Sequence, residues 1–286
     1  ETGVGTHHPG YSRKLQQNLA NHIGFEVISR LSKSVKLLSP RDGKTPVGNL
    51  RVTFWQNRDK TKNMLFYELT WSEITTPYKE TLAFDTTEQY SEFRVPFNNT
   101  MKKFLDNVLP DPLIYLVDKQ GLIQESSGQA FCWMLKTDWK DIPDGKSAVC
   151  TISANDIIRG LAAERVMFVT HSLGSEIVMN TITQVAENLE QVEDIAALQK
   201  LQQKEITLFM LANQLPMLLI DTPLPKVHNQ FAAYCTRHGA DYDKRLFKAV
   251  NIVAFSDPND ILSYAIPQAF ADKHIDCLLY TSDAAD

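Results

Sequence analysis

The stretch Val166-Met167-Phe168-Val169-Thr170-His171-Ser172-Leu173-Gly174-Ser175 decides the reading of this chain. Residues 166–170 have strand character, and Ile177, Val178, Ile182 and Val185 then recur at helical spacing. Strand, tight turn with a serine at its tip, then helix is the context that gives a Gly-x-Ser-x-Gly match physical meaning. Such a turn forces the serine backbone into a strained conformation, and Gly174 lets the helix pack close to the strand. The Ser172 hydroxyl then stands at a helix N-terminus. There the N–H of Leu173 and the positive end of the helix dipole face a developing oxyanion. One position departs from the pattern: Thr170 stands where the first glycine belongs and crowds the turn. The alternative assignment for Ser172 is a plain helix cap.

Outward from this stretch, strands and helices alternate. Residues 155–164 read as a short helix leading into the serine strand, and Val192 to Lys204 as a polar, solvated helix. Ile206 to Leu211 and Phe247 to Phe255 read as the next two strands. Alternation of this kind implies βαβ units and a parallel sheet. Upstream, a helix is expected from about Tyr11, with Leu15, Leu19 and Ile23 on its apolar face and Gly24 as its stop. Phe25 to Leu38 is apolar but irregular. Leu50 to Trp55 and Met64 to Trp71 read as a hairpin or two neighbouring strands around the charged turn at residues 57–60. Residues 73–150 change character, with many charges and prolines and helical stretches near 100–109 and 120–135. They sit where an insertion would sit, and Phe131, Trp133 and Trp139 are assigned there to core packing ahead of a substrate pocket.

The bulk numbers exclude several classes. With 286 residues, 43% of them hydrophobic, the chain holds enough apolar surface for one large core, and one α/β domain over residues 1–276 is expected. The net charge is −5 and no basic cluster with interleaved aromatics occurs, so nucleic-acid binding has no support. The apolar runs are too short to span a bilayer. Residues 277–286 resemble a translated transposase-end adapter, so native sequence is expected to stop near Asp276. That leaves Cys132, Cys150 and Cys235, an odd number without metal spacing. Buried free thiols are the expectation, with a Cys132–Cys150 pair the alternative in an exported protein. No metal or cofactor is expected. The sequence leaves the compartment, cytoplasm or cell envelope, and the oligomeric state open.

A serine hydroxyl is a poor nucleophile at neutral pH. It needs a base, and the base needs an acid to fix its tautomer. In chain order serine, acid, histidine, the acid follows a later strand, and Asp257 and Asp260 both do. Asp260 opens Asp-Ile-Leu-Ser-Tyr, which resembles the Asp-Ile-Val-Pro segment that carries the acid in class 3 lipases. It is preferred over Asp257, and one of the two is expected to serve the Asp-Pro-Asn-Asp turn instead. Downstream of Asp260 only His274 remains, inside an apparent helix, so the working histidine is expected beyond the end of the chain. His171 is too close along a tight turn, and His7, His8, His22, His228 and His238 are in the wrong order. Gly3-Val4-Gly5 reads as an oxyanion loop whose Val4 and Gly5 N–H groups join that of Leu173. Asn213 and Gln214 lie at a strand's C-terminal end, where ligands of open α/β sheets bind. A polar turn before Pro216 is the equal alternative.

Gly-Val-Gly-Thr-His-His-Pro-Gly-Tyr-Ser (residues 3–12), Phe-Tyr-Glu-Leu-Thr-Trp-Ser (66–72), Asp-Pro-Leu-Ile-Tyr-Leu (111–116), Thr-His-Ser-Leu-Gly-Ser (170–175), Ala-Asn-Gln-Leu-Pro (212–216) and Ser-Asp-Pro-Asn-Asp-Ile-Leu-Ser-Tyr (256–264) together resemble a group of bacterial α/β-hydrolase-like proteins. The resemblance covers most of residues 3–276. It implies an α/β-hydrolase fold, with a mostly parallel sheet flanked by helices and a helical insertion at about 73–150 before the nucleophile strand. It also implies that one strand precedes this chain and that another, with its histidine loop, follows it. Serine esterase or lipase chemistry on a small-molecule or lipid ester is the expected activity. A non-catalytic binding module of the same fold is the alternative, favoured by Thr170.

Overall fold

A computed structural model describes residues 7–87, 92–117, 121–136, 138–187, 192–218, 220, 246–267 and 278–280. The fold is mixed α/β, as expected, with helices and sheets along the chain. Where the sequence suggests one domain, the backbone separates into two compact units, Val4–Cys150 and Thr151–Asp286.

The first unit is built on the expected hairpin. Strand β1 (Phe25–Leu38) runs antiparallel to β2 (Pro46–Asn57), which runs antiparallel to β3 (Asn63–Thr70), and β4 (Lys146–Ala148) joins β1 in parallel, giving the order β3-β2-β1-β4. The irregularity read in residues 25–38 is a break in register between Val27 and Ser32. Val35, Leu37, Val47, Leu50 and Val52 are fully buried, the alternation that a sheet with one covered face requires. Residues 73–150 supply helices α2 (Thr76–Ala83), α3 (Pro96–Val108), α4 (Pro110–Val117) and α5 (Leu122–Lys136). They also supply β4, so part of this stretch belongs to the sheet itself. Helix α5 lies against β1, β2 and β3. It approaches so closely that a side chain at Gly48 (φ 156°) would meet Ser126 Oγ at 2.5 Å and the Thr70 carbonyl at 2.7 Å. Phe131 and Trp133 are buried on α5, as assigned. Trp139 is half-buried, stacked on Phe54 and beneath the Lys33 ammonium.

Two expectations are corrected here. Helix α1 (Arg13–Ile23) stops at left-handed Gly24 as expected, but Leu15 and Ile23 are exposed while Ser12, Gln16 and Ala20 are buried. The cause is the carboxylate of Glu68, almost fully buried on β3. It accepts hydrogen bonds from the Gly10 and Ser12 N–H groups and from the Ser12 hydroxyl, which in turn accepts from Gln16 Nε2. A buried carboxylate must find donors, and that demand outweighs the apolar stripe in setting the helix's face. The second correction concerns the cysteines: Cys132 and Cys150 form a disulfide. Gln129 holds the two segments together, donating from Nε2 to the Cys150 carbonyl at 3.0 Å and accepting its N–H at 2.6 Å. The Cα atoms then lie 5.9 Å apart, inside the range a disulfide spans.

The second unit carries β5 (Met167–His171), β6 (Glu205–Leu211), β7 (Ala249–Phe255) and β8 (Leu278–Tyr280), in that spatial order and each parallel to its neighbour. Strand β8 lies within the stretch read from sequence as a non-native tail. Helices α6 (Ala154–Ala163), α7 (Gly174–Glu187), α8 (Ile195–Leu201) and α9 (Leu215–Leu218) complete it. Ile206, Leu208 and Met210 of β6 and Val250, Ile252 and Ala254 of β7 are buried at alternate positions. Helix α8 is more than a solvated rod, because it buries Leu198 and Leu201. Asp194 caps it by accepting the Ala197 N–H at 3.1 Å and is itself paired with Arg159.

Candidate active site

Strand β5 ends at His171, and Ser172 turns the chain with φ 54° into helix α7. A non-glycine residue in the left-handed region carries strain of about 1–3 kcal/mol, which the surroundings must impose. Here the Ser172 N–H donates to the Leu211 carbonyl at the end of β6, at 2.8 Å, and the Ser172 carbonyl accepts the Ser175 N–H at 3.1 Å. The chain is thus pinned on both sides of the strained residue. Leu173 is fully buried at the mouth of α7, where an N–H has no intrahelical acceptor.

Thr170 fits the turn instead of breaking it. Its hydroxyl donates to the Phe209 carbonyl at 3.1 Å, and its oxygen lies 2.9 Å from Ser175 Oγ. Since Thr170 has one hydroxyl proton, the second bond is donated by Ser175. Both side chains are buried, so this bond fastens the end of the strand to the first turn of the helix across the serine. The side chain that crowds the turn in sequence is thus a clasp in space.

Ser172 is 2% exposed and its Oγ has no hydrogen-bond partner among the described residues. Buried hydroxyls are seldom left so, because an unmade hydrogen bond costs about 1–3 kcal/mol. On α7, Glu176 is half-buried. Burial pushes its carboxyl up to about 7, against the opposing effect of a hydrogen bond donated by Asn180 at 3.0 Å.

The candidate acids lie in the loop after β7. Asp257 is exposed and accepts from the Asn259 N–H at 2.8 Å and from Asn259 Nδ2 at 3.3 Å, which is the turn role. Asp260 is half-buried, and its Oδ1 accepts the Leu262 N–H at 2.9 Å, the same kind of turn contact.

Asn213 and Gln214, indistinguishable in sequence, part company here. Asn213 is fully buried and clamps the loops after β6 and β7. Its carbonyl accepts the Tyr264 N–H at 2.8 Å, its Nδ2 donates to the Tyr264 carbonyl at 3.2 Å, and its Oδ1 accepts the Leu215 N–H at 3.0 Å. For Asn213 the turn reading therefore holds. Gln214 is 1% exposed and its Oε1 has no partner among the described residues. Ala212, just before this pair, is left-handed with φ 48°. Among the described residues the left-handed non-glycine positions are Lys60 in the β2–β3 turn, Ser172 and Ala212. Two of the three thus sit at the C-terminal ends of neighbouring strands. Sequence reasoning passed over Ser263, whose Oγ is also buried and unpartnered, and Tyr264, whose carbonyl accepts from Ser256 Oγ at 3.0 Å.

Val4, Gly5, His274, His228 and His238 lie outside the described residues. His171 is exposed beside the serine. His22, in the first unit, lies 3.2 Å from the Asn18 carbonyl through Nδ1, and His7 packs against Tyr11. Among the described residues no group of three or more His, Cys, Asp or Glu is placed to hold a metal ion, and no helix is long and apolar enough to cross a membrane. Comparison with known proteins gives no match to a family model, a curated protein or a solved structure.

Proposed function

We propose that this chain is a serine hydrolase of the α/β-hydrolase type, cleaving a carboxylic ester with Ser172 as nucleophile. The observation that carries the reading is the left-handed Ser172 between β5 and α7, with a buried hydroxyl that has no hydrogen-bond partner among the described residues. In this reading a histidine takes the Ser172 proton as Oγ attacks the ester carbonyl. The Leu173 N–H holds the oxyanion at the positive end of α7. Collapse of the tetrahedral intermediate expels the alcohol, which takes the proton from the imidazolium, and water then releases the acid by the same steps. Asp260 orients the histidine, because it is half-buried beside the strand ends while Asp257 is exposed; each carboxylate accepts its turn hydrogen bonds through Oδ1. His274 is the histidine of this chain downstream of Asp260. Thioester hydrolysis and acyl transfer use the same machinery.

Hydrolysis of a panel of p-nitrophenyl esters tests the proposal. Ser172→Ala is expected to abolish turnover, and Asp260→Asn to lower kcat by about 10⁴-fold through the wrong histidine tautomer, while Asp257→Asn leaves kcat unchanged. Turnover that survives Ser172→Ala overturns the assignment.

A further inference from the structure

Among the described residues of the second unit, three buried side-chain atoms have no hydrogen-bond partner, and all three follow the C-terminal ends of adjacent parallel strands. Ser172 Oγ follows β5, Gln214 Oε1 follows β6 and Ser263 Oγ follows β7. The loops are tied to one another. Ser172 is bonded through its N–H to Leu211, three residues before Gln214, and Asn213 is bonded to Tyr264, which follows Ser263. Most buried polar groups in folded proteins are satisfied by protein, by ordered water or by a ligand, and at the C-terminal ends of parallel strands a ligand is the partner to test.

We propose that Gln214 and Ser263 form a specificity subsite beside Ser172 that selects esters carrying a free hydroxyl. The chemistry of the atoms sets the class. A glutamine Oε1 only accepts, so whatever meets it must donate. The Ser172 proton is committed to the catalytic base and is not available to Gln214. The Ser263 hydroxyl needs an acceptor for its own proton. An alcohol hydroxyl on the substrate answers both needs, donating to Gln214 Oε1 and accepting from Ser263 Oγ. A plain alkyl ester answers neither and leaves two polar groups buried and unmade, which is how a polar site rejects an isostere lacking the group. The left-handed Ala212 and the Asn213 clamp hold Gln214 in place, and Asn213 is the structural member of the pair.

The inference rests on the hydrolase reading, and the experiment separates the two. Two isosteric ester pairs are compared with the full-length protein: 2-hydroxyethyl against n-propyl butanoate, and ethyl 4-hydroxybutanoate against ethyl pentanoate. In at least one pair the hydroxylated ester is expected to have the higher kcat/KM by about 10- to 100-fold. Gln214→Leu and, separately, Ser263→Ala bring that ratio towards one. The melting temperatures of both variants are at or above wild type, because each removes an unsatisfied buried group. Ratios near one in both pairs for the wild-type protein, as a bridging water would give, overturn the subsite while fluorophosphonate labelling of Ser172 leaves the hydrolase reading intact. A ratio that survives both substitutions also overturns it. Absence of labelling in the wild-type protein overturns the hydrolase reading and the subsite together.

Discussion

Glu176→Gln probes the environment of helix α7 through pH. In the folded chain burial holds the Glu176 carboxyl at about 7, against an ordinary value of 4.5. Between those values the folded state keeps a proton that the unfolded chain has released, so stability falls as pH rises. It is level below about 4.5 and level again above about 7. A gap of about 2.5 pH units at 1.36 kcal/mol each gives a loss of about 3 kcal/mol across that window. Glutamine preserves the shape and an oxygen to accept from Asn180, but it does not ionise. The assay is urea denaturation of both proteins at pH 4.5, 6, 7.5 and 9, reading only the difference between them so that other titrating groups cancel. The variant is expected to gain on the wild type as pH rises, by about 2–3 kcal/mol at pH 9 relative to pH 4.5. Parallel profiles across the range would refute the reasoning, because they would mean that Glu176 ionises in the fold as freely as in water.

Three further perturbations follow from the packing. Asn213→Ala removes two side-chain hydrogen bonds of the clamp and is expected to cost about 2–3 kcal/mol in urea denaturation, with the thermal midpoint falling accordingly. Lys79→Met leaves Asp111, fully buried and 2.8 Å from Lys79 Nζ, without its countercharge. A loss of about 3–5 kcal/mol is expected, and Asp111→Leu added to it should recover most of that loss. Reduction of Cys132–Cys150, confirmed by peptide mapping without reductant, opens a loop of 18 residues' separation and should cost about 3 kcal/mol. A denaturation curve unchanged by reductant would remove the disulfide from the account.

Much of the layout is legible in the sequence because it is local. The hairpin at 46–70, the helices at 96–108 and 122–136 and the strand–serine–helix turn each follow from residues close in the chain. The misreadings share a different cause. Helix α1 presents Ser12 and Gln16 inward because of Glu68, 56 residues from Ser12, and no periodicity within the helix encodes that partner. Thr170 counts against the motif as a single letter. Its merit shows only when Phe209 and Ser175 are placed around it. The spacing of Cys132 and Cys150 is silent, whereas the double bond from Gln129 sets their distance. Asn213 and Gln214 look alike in sequence. The fold separates them by giving the Asn213 side chain two partners and leaving Gln214 Oε1 without one among the described residues.

The central claim, that Ser172 is an activated nucleophile, is tested most directly by fluorophosphonate labelling of the full-length protein, with Ser172→Ala as control. The account predicts a single labelled site, lost in the variant and mapped by peptide analysis to Ser172. A folded full-length protein that takes no label, or one labelled equally with and without Ser172, would contradict it and leave a binding module of the same fold as the better description.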